Sequence, residues 1–257
     1  MTYGSGNSGN YKKLKGQNIQ VLDTDPVVYV GAWSSGGNLG TARRSIMGAG
    51  TQTAGLAFGA VPASGKTEEY NGTAWAEQND LNTGRGEGAG LGIQTAGLCC
   101  GGFITSAQAV TEEYDGTSWT ESGDLSTARY GSAGAGTQTA GLAFGGIPTT
   151  AAVEEYDGSS WTNGGAISNS RGYLGGLGIQ TSALAISGLP SPNATLVEQY
   201  DGTSWTSQST LATGRAEGGA AGTTSAGLYF GGAPGPAGVV TTEEFTGGTI
   251  TQTFTTS

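Results

Sequence analysis

Short runs of apolar and small residues alternate with polar turns along this chain, and the alternation repeats. From Arg129, residues Tyr130 to Gly136 are mostly small and predict a first short strand, crowded against its neighbours. Thr137-Gln138-Thr139 is a polar turn, and Ala140-Gly-Leu-Ala-Phe144 is an apolar run of strand length closed by Gly145-Gly146. A run bounded in this way predicts a strand buried on both faces. Val153-Glu-Glu-Tyr156 predicts a third strand and Ser159-Ser-Trp161-Thr162 an outer one. Between them Asp157-Gly158 predicts a two-residue hairpin turn, because both residues tolerate positive φ.

The same phrase recurs along the chain. Tryptophan stands at Trp33, Trp75, Trp119, Trp161 and Trp205, at intervals of 42, 44, 42 and 44 residues. Each is followed ten residues later by an arginine: Arg43, Arg85, Arg129, Arg171 and Arg215. Four antiparallel strands per unit, repeated at this period, predict a β-propeller. Five first strands and five third strands give an all-β, five-bladed propeller over residues 28–257, preceded by an amino-terminal arm over residues 1–27. Outer-strand candidates number six, since Ile250 lies five residues after Phe245 where a tryptophan would stand. Trp33 keeps both the aromatic and the spacing to Arg43. The expectation is that this amino-terminal outer strand closes the ring in the last blade, with Gly248–Thr256 as an added edge strand or a contact to a neighbour.

Copies that agree point to scaffold, and copies that disagree point to contact surface. The tryptophans are expected to wedge between blades. The first glutamate of each pair (Glu68, Glu112, Glu154, Glu198, Glu243) is expected to pair with a repeat arginine. Two carboxylates can hydrolyse glycosides, but a catalytic pair needs two unlike environments, and fivefold repetition supplies equal ones. Length varies between the second and third strands, at Ala60–Lys66, Phe103–Val110, Ile147–Ala152, Leu189–Leu196 and Ala233–Val240. Insertions in repeat proteins map to loops on one face, so Phe103, Ile104, Pro148, Pro190, Asn193, Pro234 and Pro236 are the candidate binding residues.

Composition narrows the function. Fifty glycines without a Gly-X-Y period exclude collagen and fit many tight turns. A net charge of −10, with five of ten basic residues already assigned to the repeat, argues against a nucleic-acid partner. No apolar run approaches the ~20 residues of a membrane helix, and the polar first thirty residues lack a signal-peptide core. The chain has no histidine, which removes the commonest general base and metal ligand. Gly-rich runs such as Gly86–Gly92 lack the following Lys-Ser/Thr of a phosphate cradle. Cys99 and Cys100, adjacent within a predicted strand, are expected to be buried free thiols. No cofactor, catalytic residue or metal site is expected. Lys12, Lys13 and Lys15, with Tyr11, mark the arm as an anchor that orders on an acidic partner surface.

The order of basic residue, apolar strand, double glycine, tyrosine and tryptophan resembles the Kelch repeat, over about residues 28 to 250. The matching positions are Arg129, Gly145-Gly146, Tyr156 and Trp161, with their equivalents in the other units. The double glycine is degraded to Gly59-Ala60 and Gly188-Leu189 in two of them. A Kelch propeller that houses a copper-radical oxidase would need histidine ligands, so that activity is not carried over. A narrower likeness is to glycine-rich Kelch-like proteins of marine tailed phages. They share the phrases around Ala-Gly-Thr-Gln-Thr-Ala-Gly-Leu-Ala-Phe-Gly and Glu-Glu-Tyr-Asp-Gly-Thr-Ser-Trp, and an opening like Tyr11 to Pro26. That resemblance implies a non-enzymatic component of the virion surface, on a tail fibre or other appendage. Its partners would be other virion proteins through residues 1–27, and a host glycan or protein. The alternatives are a decoration protein without a ligand and, less favoured, a glycan-processing enzyme.

Overall fold

A computed structural model describes residues 35–190, 195–233 and 238–247. Nineteen strands and no α-helix are present among the described residues. Blade 1 comprises β1 (Met47–Thr51), β2 (Ala54–Ala60), β3 (Ser64–Tyr70) and β4 (Trp75–Glu77). Blade 2 comprises β5 (Ala89–Ile93), β6 (Ala96–Cys100), β7 (Thr111–Tyr114) and β8 (Trp119–Glu121). Blade 3 has β9 (Ala133–Thr137), β10 (Ala140–Phe144), β11 (Val153–Tyr156) and β12 (Trp161–Asn163). Blade 4 has β13 (Gly175–Ile179), β14 (Ser182–Ile186), β15 (Val197–Tyr200) and β16 (Trp205–Ser207). Blade 5 has three described strands, β17 (Gly219–Thr223), β18 (Ala226–Phe230) and β19 (Thr242–Thr246). Every pairing is antiparallel between sequence neighbours, so five small sheets make a five-bladed β-propeller.

Two details differ from expectation. The first strand of blade 3 begins at Ala133 rather than Tyr130, because Tyr130 pairs with Ile147 and the chain then bends at Gly131, φ +58°. The Asp-Gly connection is a four-residue loop, since Tyr156 pairs directly with Trp161. Its Asp157 carboxylate accepts the N–H groups of Ser159 and Ser160, at 2.9 and 2.8 Å, and Gly158 supplies φ +94°. In blade 1 the second and third strands run on through Ala60 and from Ser64, leaving a shorter loop than the length pattern suggested.

The core lies between the blades. Successive inner strands β1, β5, β9, β13 and β17 stand side by side. Glycine makes this approach possible: a Cβ on Gly90 would lie 2.7 Å from the Gly48 carbonyl oxygen, and one on Gly176 would lie 2.8 Å from that of Gly134. Further out, Phe144 and Leu142 of blade 3 form one cluster with Ala183, Ala185 and Tyr200 of blade 4. Cys99 and Cys100 are free and fully buried on β6, and burial pushes their thiols up to about 11 and about 12. The expected arm (1–27), Trp33, the strand near Ile250 and the choice of which terminus closes the ring lie outside the described residues.

Candidate functional site

The repeat arginines are consumed by the scaffold. Arg85 and Arg129 are fully buried and reach Glu112 and Glu154 at 2.5 and 2.8 Å, and Arg171 reaches Glu198 at 2.7 Å. Arg43 meets Glu68 at 3.1 Å and Arg215 meets Glu243 at 2.5 Å. Each pair lies within one blade and joins the segment before the first strand to the third strand. Glu112 also accepts the N–H groups of Asn82 and Thr83, so the carboxylate fixes the loop that delivers its arginine. Burial pulls the Arg129 guanidinium below its ordinary range, and Glu154 opposes that.

In the first three blades the second glutamate of the Glu-Glu sequence serves the next blade instead. Tyr114 donates to Glu69 at 3.0 Å, Tyr156 donates to Glu113 at 2.5 Å, and Tyr200 donates to Glu155. Burial and the nearby carboxylate push the Tyr200 hydroxyl up to about 12. The tryptophans sit at the same seams. Trp119 packs on Phe58 of the preceding blade at 4.8 Å between ring centres, and its indole N–H donates to Thr67. Trp161 donates likewise to Thr111, and Trp205 packs on Phe144 at 5.1 Å.

What remains unassigned gathers at one end of the propeller. Two residues after each repeat arginine stand Ser45, Glu87, Gly131, Tyr173 and Glu217, all at positive φ between 53° and 60°. Only glycine enters this region without strain, so four of the five positions hold an uncommon backbone. Neighbouring blades support it. The N–H groups of Glu87, Gly131, Tyr173 and Glu217 donate to the carbonyl oxygens of Ser45, Glu87, Gly131 and Tyr173, at 2.6–3.1 Å.

These residues surround a cavity of about 470 Å³ on the propeller axis, completed by Ile46, Gly88, Ser132, Leu174 and Gly218. Tyr173 leans across Gly131 and donates to Glu87 Oε2 at 3.2 Å, while Ser45 donates to Glu87 Oε1 at 3.3 Å. A Cβ on Gly131 would meet the Tyr173 ring at 3.1 Å, so the missing side chain gives the tyrosine its path.

The loops between second and third strands reach the same end. Val61, Phe103, Ile147, Leu189 and Ala233 pair with Arg44, Gly86, Tyr130, Gly172 and Ala216, each one residue before the ring position. Phe103 packs against Tyr130 with ring centres 4.9 Å apart and planes tilted by 57°, and Tyr130 meets Tyr173 edge-on at 6.2 Å, a ring-to-ring path from loop to cavity wall. Ile104 is half-buried beside it, while Pro148 and Pro190 are exposed. Asn193, Pro234 and Pro236, like the anchor residues Tyr11, Lys12, Lys13 and Lys15, lie outside the described residues. The cavity ring was not among the sequence candidates. Its signal was available as a change of chemistry at constant length, Ser, Glu, Gly, Tyr and Glu in otherwise similar copies.

No protein-family model matches this chain, and no curated protein matches its sequence. Solved structures do match its fold. The structure of YjhT superimposes with a TM-score of 0.67 at 13% sequence identity, over 80% of this chain and 82% of that one. At that identity the likeness establishes the propeller and nothing about chemistry.

Proposed function

We propose that this chain is a non-enzymatic recognition module, and that it makes contact through the end of the propeller bearing the variable loops and the axial cavity. The observation that carries the reading is their convergence: every variable loop pairs with the residue next to a cavity-ring position. Uniform side chains hold the blades, and the side chains that differ from blade to blade are presented together. Strained backbone retained at such a place is characteristic of a ligand-facing site. Glu87 already accepts hydroxyl donors from Ser45 and Tyr173, and the chain has no histidine, the commonest general base.

The resemblance of its repeat phrases to Kelch-like proteins of tailed phages supports a role on a virion surface, as part of a tail fibre or similar appendage. Residues 1–27 then attach it to other virion proteins through Tyr11, Lys12, Lys13 and Lys15. A labelled full-length chain applied to host cells tests recognition: saturable binding, weakened by Phe103→Ala and Ile104→Ala, is expected. Absence of any saturable binding would favour a decoration protein without a ligand. Deleting residues 1–27 is expected to abolish incorporation into particles, and normal incorporation would remove the anchor role.

A further inference from the structure

The axial cavity has a polar lining that the scaffold does not use. Ser132 also belongs to the cavity wall, but its hydroxyl is buried away from the open space. Glu87 presents two oxygens that each hold one hydroxyl donor, from Ser45 and Tyr173, and each keeps a second lone pair. Glu217 is exposed at the rim and has no side-chain hydrogen bond among the described residues.

We propose that this cavity binds an uncharged, polyhydroxylated ligand, a neutral sugar unit of a glycan, with Glu87 and Glu217 as acceptors. The inference rests on the recognition reading above and names its ligand class. The volume of about 470 Å³ falls in the range of small-molecule sites, roughly 300–1,000 Å³. The lining carries two carboxylates and no lysine or arginine, so sialic acids, uronic acids and sulfated sugars meet repulsion with nothing to offset it. Hydroxyl donors already occupy Glu87, which is the chemistry a sugar offers. A hard cation is a poorer fit, because it wants six or more oxygens and no group of three metal-ligating side chains occurs among the described residues. The Tyr173 ring adds a flat wall whose tip is polar, suited to a ligand with apolar faces and hydroxyl edges.

The test is a printed array of neutral, sialylated, uronate-containing and sulfated oligosaccharides probed with the full-length chain, followed by calorimetric titration of the retained sugar. Retention of neutral members alone is expected. Glu217→Gln, at a side chain that holds no other group, is expected to weaken binding roughly tenfold or more, as loss of a charged acceptor does. The same variant is expected to leave the melting temperature unchanged, because Glu217 is exposed; a purely structural role would lower it and leave affinity unchanged. Preference for acidic sugars, or no retained sugar at all, would overturn the proposal. So would binding that survives Glu217→Gln and fails only with Phe103→Ala or Ile104→Ala. In that last case, or if the chain binds cells without binding sugars, the recognition reading stands and the cavity assignment falls.

Discussion

Blades 3 and 5 are written in nearly the same words and packed very differently. Leu142 and Phe144 on β10 are 0% exposed, whereas Leu228 and Phe230 at the same positions on β18 are 39% and 42% exposed. The Arg129–Glu154 pair is sealed, while the glutamate of the Arg215–Glu243 pair is 21% exposed. Contacts between blades explain the difference. At the first three junctions a glutamine of the later blade donates to two carbonyl groups of the earlier one: Gln94 to Gly55 and Tyr70, Gln138 to Gly97 and Tyr114, Gln180 to Gly141 and Tyr156. At the fourth, Thr224 takes that place and meets Ser182 at 2.8 Å. From blade 1 back to blade 5, no such bond from Gln52, Tyr70 or Trp75 is found among the described residues. Ser45 N–H likewise makes no bond to Glu217 there, so the ladder around the cavity has four rungs. A repeat supplies the face of a core, and only its neighbour makes that face an interior.

The largest expected effect separates the two arginines. Arg129→Ala leaves Glu154 buried without its partner and is expected to cost about 3–5 kcal/mol. Arg215→Ala is expected to cost clearly less, since water reaches Glu243, although contact of the guanidinium with the Tyr229 ring at 4.8 Å is also lost. Urea denaturation of both variants measures the gap, and equal losses would mean that the two blades are equally sealed in solution. Next comes the leucine pair. Leu142→Ala is expected to cost ~2–5 kcal/mol, and Leu228→Ala no more than about 1 kcal/mol. A large loss at Leu228 would show that its face is covered in the intact protein.

A smaller effect exploits a difference inside one seam. Trp119 and Trp161 donate to Thr67 and Thr111, but the corresponding residue for Trp205 is Val153, and the buried Trp205 indole N–H has no partner. Val153→Thr is expected to raise stability by about 1 kcal/mol, as a restored buried hydrogen bond does. Thermal unfolding checks it; a lower melting temperature would mean that the hydroxyl cannot reach the ring.

The scaffold was legible because its chemistry is periodic. Tyr-to-Trp spacing, paired glutamates and apolar runs each recur at fixed offsets, and each became a named contact. The site was less legible because its signal is a change of chemistry and not of length. The cavity ring varies at constant length, two residues after each arginine, where alignment makes the copies look regular. Nothing in the spelling of Ser45, Glu87, Gly131, Tyr173 and Glu217 signals a shared left-handed backbone, since four of them are residues that seldom adopt it. The turn chemistry is also less local than Asp-Gly suggests: Asp157 acts through its side chain on two N–H groups, which lengthens the loop beyond two residues.

The smallest effect tests the seam comparison most directly, because it changes one polar side chain on each side. Gln138 bridges two carbonyl oxygens of blade 2, at 3.0 and 2.8 Å, while Gln52 at the same position of blade 1 is exposed. Truncating Gln138 to alanine removes the donor from two partly buried acceptors and is expected to cost about 1 kcal/mol. The same change at Gln52 is expected to stay within about 0.5 kcal/mol of zero, the usual range for a surface substitution. Two such variants differ in no propensity or turn context, since both glutamines sit in Thr-Gln-Thr turns between first and second strands. Any gap between them therefore reports the seam itself. If Gln52→Ala costs as much as Gln138→Ala, blade 1 has a neighbour in solution that bonds to it as blade 2 bonds to blade 3.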